Sequence, residues 1–178
     1  HLTGQQRPAE LPLFFAHRRA WLLNEIEGEG AYNVPILWRL TGPLDIAALR
    51  AAMGDLVARH EVLRTRIVQG TGEPIQRVLG AEEALHLFRL VVSDAAGSGS
   101  LIEAEVARGF NLASDDPLRT TLIELKPRDH LLLLVLHHAA ADGASIVPLL
   151  SDLAQAYAAR LDGRTPQFTP LEVNYIDF

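Results

Sequence analysis

The 178 residues are 48% apolar, enough to bury one hydrophobic core and a better fit to one domain than to two. A net charge of −6, with no Lys/Arg run interleaved with aromatics, gives no electrostatic footprint for a nucleic-acid partner, and the lack of cysteine excludes a disulfide framework, a thiolate nucleophile and a cysteine-ligated metal. The longest apolar run, Leu131 to Leu136, is far shorter than the ~20 residues of a membrane helix, and no signal pattern opens the chain, so a cytoplasmic protein without a membrane partner is expected.

In chain order, residues 16–25 carry an apolar stripe that predicts a helix, and Val34–Leu40 predicts a strand. Gly42-Pro43 then lead to Asp45, a helix N-cap. Behind it Ile46, Leu49, Met53, Leu56, Val57 and His60 lie at the spacing of an amphipathic helix of about four turns. Branched and aromatic residues predict strands at Leu63–Val68, Ile75–Leu79 and Leu87–Val92. The Gly/Ser-rich stretch Asp94–Ser100 reads as a loop, followed by a helix from about Ser100 to Arg108. Leu118–Lys126, Pro127-Arg128-Asp129 and His130–His137 read as a hairpin whose second strand is too uniformly apolar for a wet edge and is placed centrally. A last helix runs through Ile146, Leu149, Leu150, Leu153, Tyr157 and Leu161 and stops at Gly163, with Pro166 beyond. The pattern is α+β, with no internal repeat and no domain boundary. The chain opens on His1 instead of Met and stops at Phe178 just after an aromatic segment, as a piece of a larger polypeptide would.

Chemistry concentrates in His137-His138-Ala-Ala-Ala-Asp142-Gly143, at the turn from the buried strand into the last helix. Neighbouring strand side chains point to opposite faces, so one histidine is expected to face a site and the other the packing. That separation argues against a shared metal ion, and no HExxH spacing accompanies the pair. There is no G-x-S-x-G elbow, dinucleotide fingerprint or P-loop. A histidine near its ordinary pKa of about 6.5 can instead take a proton from an attacking amine or hydroxyl, or orient it by a hydrogen bond. Asp142-Gly143 suits a tight turn in which the carboxylate is directed at an arginine and the glycine lets a substrate approach the backbone. Spacing alone leaves open the plainer alternative of two satisfied core histidines and a simple turn. A second cluster, Arg59-His60-Glu61-Val62-Leu63-Arg64-Thr65, is equally compatible with a solvated helix end whose cations favour the dipole.

Together the two clusters resemble motifs of the condensation domains of nonribosomal peptide synthetases: an RHExLRT segment at Arg59 to Thr65 and an HHxxxDG segment at His137 to Gly143. Leu11-Pro-Leu with Arg19 and Trp21, Tyr32-Asn33, Leu40-Thr-Gly-Pro-Leu44, Phe110-Asn-Leu, Pro117-Leu-Arg119 and Tyr175-Ile-Asp177-Phe178 follow the family's order, so the resemblance covers the chain from Leu11. The opening segment departs from it at Phe14, where serine is typical, at His17, where glutamine is typical, and at Ala20, where a larger apolar residue is usual.

The resemblance implies a chloramphenicol acetyltransferase-like αβ sandwich, a mixed sheet with helices packed on it. Residues 11–178 would form the N-terminal subdomain and residues 1–10 a linker or upstream remnant, the C-terminal subdomain lying outside the sequence. In the family two such halves form a V around a tunnel, which the phosphopantetheine arms of donor and acceptor peptidyl carrier proteins enter from opposite ends. By that analogy His138 faces the tunnel and deprotonates or orients the acceptor amine as it attacks the donor thioester, and the Gly143 amide holds the developing oxyanion. His137 and Asp142 would shape the site, with Arg59 or Arg64 supporting its floor. No cofactor is expected beyond the carriers' arms, and a neighbouring adenylation domain would be a further partner. An O-acyltransferase of the same fold and a noncatalytic docking domain are the alternatives. The fragment alone is expected to fold without catalysing.

Overall fold

A computed structural model describes residues 11–13, 17–19, 21–23, 32–83, 88–141 and 143–171. The expectations for residues 1–10, Asp142 and the aromatic segment at 175–178 lie outside the described residues.

A four-stranded sheet carries the architecture: β2 (Asn33–Thr41), β7 (Asp129–His137), β6 (Leu118–Lys126) and β5 (Phe88–Val92), in the order β2-β7-β6-β5. β5 runs parallel to β6 and the other pairs are antiparallel, so the sheet is mixed. As its unbroken apolar run predicts, β7 is central, with Leu132 to Leu136 all at most 2% exposed. The β6–β7 hairpin turns at Pro127-Arg128, where Arg128 takes a left-handed φ of 68° and its carbonyl accepts the Gly42 N–H at 2.9 Å. A smaller sheet has the order β1-β4-β3, from β1 (Leu11–Pro12), β3 (Thr65–Gln69) and β4 (Pro74–Val78).

One face of the large sheet is covered by α1 (Ile46–Arg59) and α3 (Ile146–Leu161), whose Leu49, Met53, Leu56, Leu149 and Leu153 meet Leu132, Leu134 and Leu136 of β7. Alternation on β2 sends Val34, Ile36, Trp38 and Leu40 into the same core. α1 begins where Asp45 accepts the Ala48 N–H at 2.9 Å. α3 ends in a Schellman turn, with Gly163 at φ 67° and the Arg164 N–H on the Ala159 carbonyl at 2.9 Å. On the opposite face of the sheet Leu133 and Val135 pack with Ile67, Phe110 and Leu112, against Trp21, Ile102 and Val106.

Local expectations fail in two places. The Asp94–Ser100 stretch is not a loop: α2 spans Ala95–Ala107, because the Asp94 carboxylate caps the Gly97 N–H at 2.7 Å and the helix docks Ile102 and Val106 on the sheet. Cap and packing together outweigh the cost of about 1 kcal/mol that each interior glycine carries. Leu63 is not a strand residue, since Glu61–Arg64 close a 3-10 turn first, with the Leu63 N–H on the His60 carbonyl at 2.9 Å. The predicted first helix is seen as helical residues 17–19 and 21–23.

Candidate active site

The last residue of β7 enters the core and the next one leaves it. His137 is 1% exposed and its N–H donates to the Pro117 carbonyl at 2.9 Å, while His138 is exposed. The Ala139 N–H donates to His137 Nδ1 at 3.1 Å, so Nδ1 carries the lone pair and the ring proton sits on Nε2. Among the described residues Nε2 has no hydrogen-bond partner, and the ring meets the edge of Phe110 at a centroid distance of 5.8 Å. Burial, followed by the fields of His138, His17 and Arg119, pushes the His137 pKa down to about 4, which keeps the ring neutral at ordinary pH.

Segments quoted above for their family resemblance converge on this imidazole. Asn33 Nδ2–H donates to the carbonyls of Val106 at 2.6 Å and Arg108 at 2.8 Å, closing the C-terminus of α2 against β2. Arg119 donates to the Gly109 carbonyl at 2.9 Å and lies 3.7 Å over the Phe110 ring, pressing that ring toward His137. Burial, with Arg108 nearby, pulls the Arg119 pKa down to about 10, and its guanidinium remains charged at neutral pH.

The turn carrying His138 is pinned at successive backbone groups. The His138 N–H donates to the Tyr32 carbonyl and the Ala140 N–H to the His137 carbonyl, both at 2.8 Å. Ala139, Ala140 and Ala141 are all at most 8% exposed, and larger side chains there would collide with the core beneath the turn. Gly143 is exposed, lies outside the left-handed region, and a Cβ on it would meet nothing within 4 Å. Backbone strain therefore does not call for glycine at 143; the open space over its peptide remains.

Arg59, His60 and Arg64 are not solvated. Arg59 Nε–H donates to Asp152 Oδ2 at 2.7 Å, its Nη1–H donates to the Thr169 carbonyl at 2.8 Å, and the guanidinium lies 4.6 Å over Phe168. His60 Nε2 sits 2.8 Å from the same Asp152 oxygen, and burial lowers its pKa below the ordinary histidine value. Arg64 donates to the carbonyls of Val57 at 3.2 Å and of Leu79. Among the described residues the RHEVLRT segment thus clasps α1 to α3 and fixes the start of β3, with Leu63 packed in the same core as Ala140 and Ala141. Sequence reasoning missed one buried contributor: His17, 2% exposed, whose Nε2–H donates to the Ala139 carbonyl at 2.8 Å. The only signal for it was its departure from the family's glutamine.

Among the described residues no three His, Asp or Glu side chains are grouped to hold a metal ion, and no helix is long and apolar enough to cross a membrane. The family model described as condensation domain matches residues 8–178. The chain belongs to the condensation-domain family. It is 42% identical over 181 residues both to the dimodular nonribosomal peptide synthase of Bacillus subtilis and to the isonitrile lipopeptide synthase of Mycobacterium tuberculosis. Each alignment covers 99% of this chain but only 8% and 7% of those relatives, so the chain spans a small part of their length. Among solved structures it superposes on the X-domain from teicoplanin biosynthesis with a TM-score of 0.91 at 34% identity, covering 98% of this chain and 38% of that one. It superposes on the first condensation domain of the CDA synthetase with a TM-score of 0.78 at 23% identity, covering 92% and 42%. The fold is accordingly the chloramphenicol acetyltransferase-like α+β sandwich, and the chain corresponds to the N-terminal part of such a domain.

Proposed function

We propose that this chain supplies the N-terminal half of a condensation domain that joins a donor aminoacyl or peptidyl thioester to the amine of an acceptor aminoacyl thioester. The observation that carries the reading is the division of labour at the end of β7: an exposed His138 on a pinned backbone, beside a buried His137 held neutral. The acceptor amine attacks the thioester carbonyl carbon, the C–N bond forms and the C–S bond breaks. His138 accepts the amine proton or orients the amine, and the leaving thiolate takes up a proton as the thiol. The Gly143 N–H donates to the tetrahedral oxyanion, and Asp142 holds the turn between them. Arg59 and Arg64 serve the site by fixing α1 against α3 and β3. The second wall of the tunnel comes from a C-terminal subdomain. The substrates arrive on the phosphopantetheine arms of donor and acceptor carrier proteins, with an adenylation domain as neighbour. On this reading the 178-residue chain folds but does not catalyse alone.

The likeness to the teicoplanin X-domain, which has been solved in a complex with OxyB, favours a second reading, a domain that docks another protein without catalysing. A complete domain carrying this chain, given carrier proteins loaded with different amino acids, discriminates between the two. Dipeptidyl-thioester formation followed by mass spectrometry is expected for the wild type and is expected to be largely lost in His138→Ala. Equal rates in both would remove His138 from the chemistry. No dipeptide, with stable capture of a protein partner, would favour docking, and acylation of an alcohol acceptor would reassign the reaction within the fold.

A further inference from the structure

His17 precedes Ala139 by 122 positions in sequence yet donates its Nε2–H to the Ala139 carbonyl at 2.8 Å. Its other nitrogen, Nδ1, lies 3.0 Å from Gln76 Oε1, and the Gln76 amide donates to the Pro12 carbonyl at 2.8 Å. One buried imidazole thus links β1 and β4 of the small sheet to the turn at the end of the central strand of the large one. From the opposite side His137 Nδ1 accepts the Ala139 N–H at 3.1 Å. Both polar groups of Ala139, the residue that follows His138, are therefore held by buried imidazoles. A void of ≈ 10 Å³ between His17, Thr65, Pro117 and Ala139 has space for no more than one water, so little room exists for the ring or the carbonyl to move apart.

We propose that His17 is a positioning residue: by holding the Ala139 carbonyl it fixes the direction in which the His138 ring projects. As a statement about catalysis this rests on the condensation reading; as a statement about the turn it does not. The Ala139 carbonyl and Gln76 Oε1 both accept, so a protonated ring donates to both, whereas a neutral ring holds the Ala139 carbonyl with its single proton on Nε2. Burial lowers the proton affinity of the ring, and the Ala139 and Gln76 contacts oppose that effect without overcoming it. A glutamine at position 17, the residue the family usually carries, offers an amide N–H to the same carbonyl. A leucine fills similar volume and offers no donor.

Three variants test it. In a complete domain with loaded carriers, His17→Leu is expected to lower kcat by about 10- to 100-fold with KM for the acceptor carrier changed less than about two-fold, since the defect is in orientation of the reacting group. His17→Gln is expected to stay within about three-fold of wild type. Hydrogen exchange read by mass spectrometry on the 178-residue chain is expected to quicken in the peptide spanning 137–143 for His17→Leu and not for His17→Gln. If His17→Leu lowers the urea midpoint sharply, Gln76→Leu loosens the ring from its far side and is expected to quicken exchange in the same peptide. Unchanged exchange in His17→Leu, a glutamine variant as defective as the leucine one, or a rise in KM at constant kcat would each overturn the proposal. Exchange that separates leucine from glutamine in a wild type that forms no dipeptide would support the hold on the turn and sink the condensation reading instead.

Discussion

Acidification from pH 7.5 to 4 acts on His137 before it reaches most carboxylates. In the unfolded chain this side chain titrates near 6.5, whereas in the folded chain its pKa is pushed down to about 4 by burial and by His138, His17 and Arg119. Between those values the unfolded state binds a proton that the folded state refuses, so stability falls as pH falls. Above 6.5 neither state is protonated at this site, and below about 4 both are, which confines the dependence to that window. At about 1.4 kcal/mol per pH unit for one proton, the full passage costs about 3.4 kcal/mol, an upper bound reduced by whatever the turn relaxes. His17 and His60 are displaced in the same direction by burial and steepen the profile. Urea midpoints of wild type and His137→Asn, taken at half-unit steps of pH, isolate the contribution. Asparagine keeps an acceptor for the Ala139 N–H and removes the titration. The expected difference in slope is about one proton, or about 1.4 kcal/mol per pH unit across the window. Equal slopes would show that the His137 ring is not held neutral and would refute the tautomer argument built on it.

Asp152→Ala removes the shared partner of Arg59 and His60 and leaves a guanidinium only 14% exposed without its carboxylate. The expected loss is about 2–3 kcal/mol in chemical denaturation, with much of it not repeated when Arg59→Ala is added, since the stranded charge is then gone as well. Asp94→Ala deletes the cap on the Gly97 N–H. About 1 kcal/mol is expected from that loss, together with faster amide exchange confined to the first turn of α2.

Much of the fold could be read directly because strong periodicity and strong packing agree. β7 is central because Leu131 to Leu136 offer no polar face, and α1 and α3 are where their apolar stripes and caps place them. The readings that failed depended on partners remote in sequence. The Asp94 cap alone does not turn the Gly/Ser-rich stretch behind it into a helix; Arg89, 2.8 Å from Glu105, and the sheet beneath Ile102 and Val106 supply the rest. Arg59 reads as a surface residue until Asp152 and Thr169, from the other end of the chain, close over it. His17 is the extreme case, since a lone histidine in an apolar segment says nothing about a carbonyl 122 positions later.

The paired histidines answer to opposite substitutions, and this separates a site from a core more sharply than the motif can. His138 is exposed, and its backbone N–H, the group that fixes it to Tyr32, survives truncation of the side chain. His138→Ala should therefore shift stability by no more than about 0.5 kcal/mol while removing the proposed base. His137→Ala empties a site 1% exposed beside Phe110 and strands the Ala139 N–H. The cavity and the orphaned donor together predict a loss of about 3 kcal/mol. Thermal or urea unfolding of the two variants, set beside dipeptide formation in the complete domain, reads both axes at once. Destabilisation by His138→Ala comparable to that by His137→Ala would place both rings in the core, leaving the exposed turn without the group that the proposed chemistry requires.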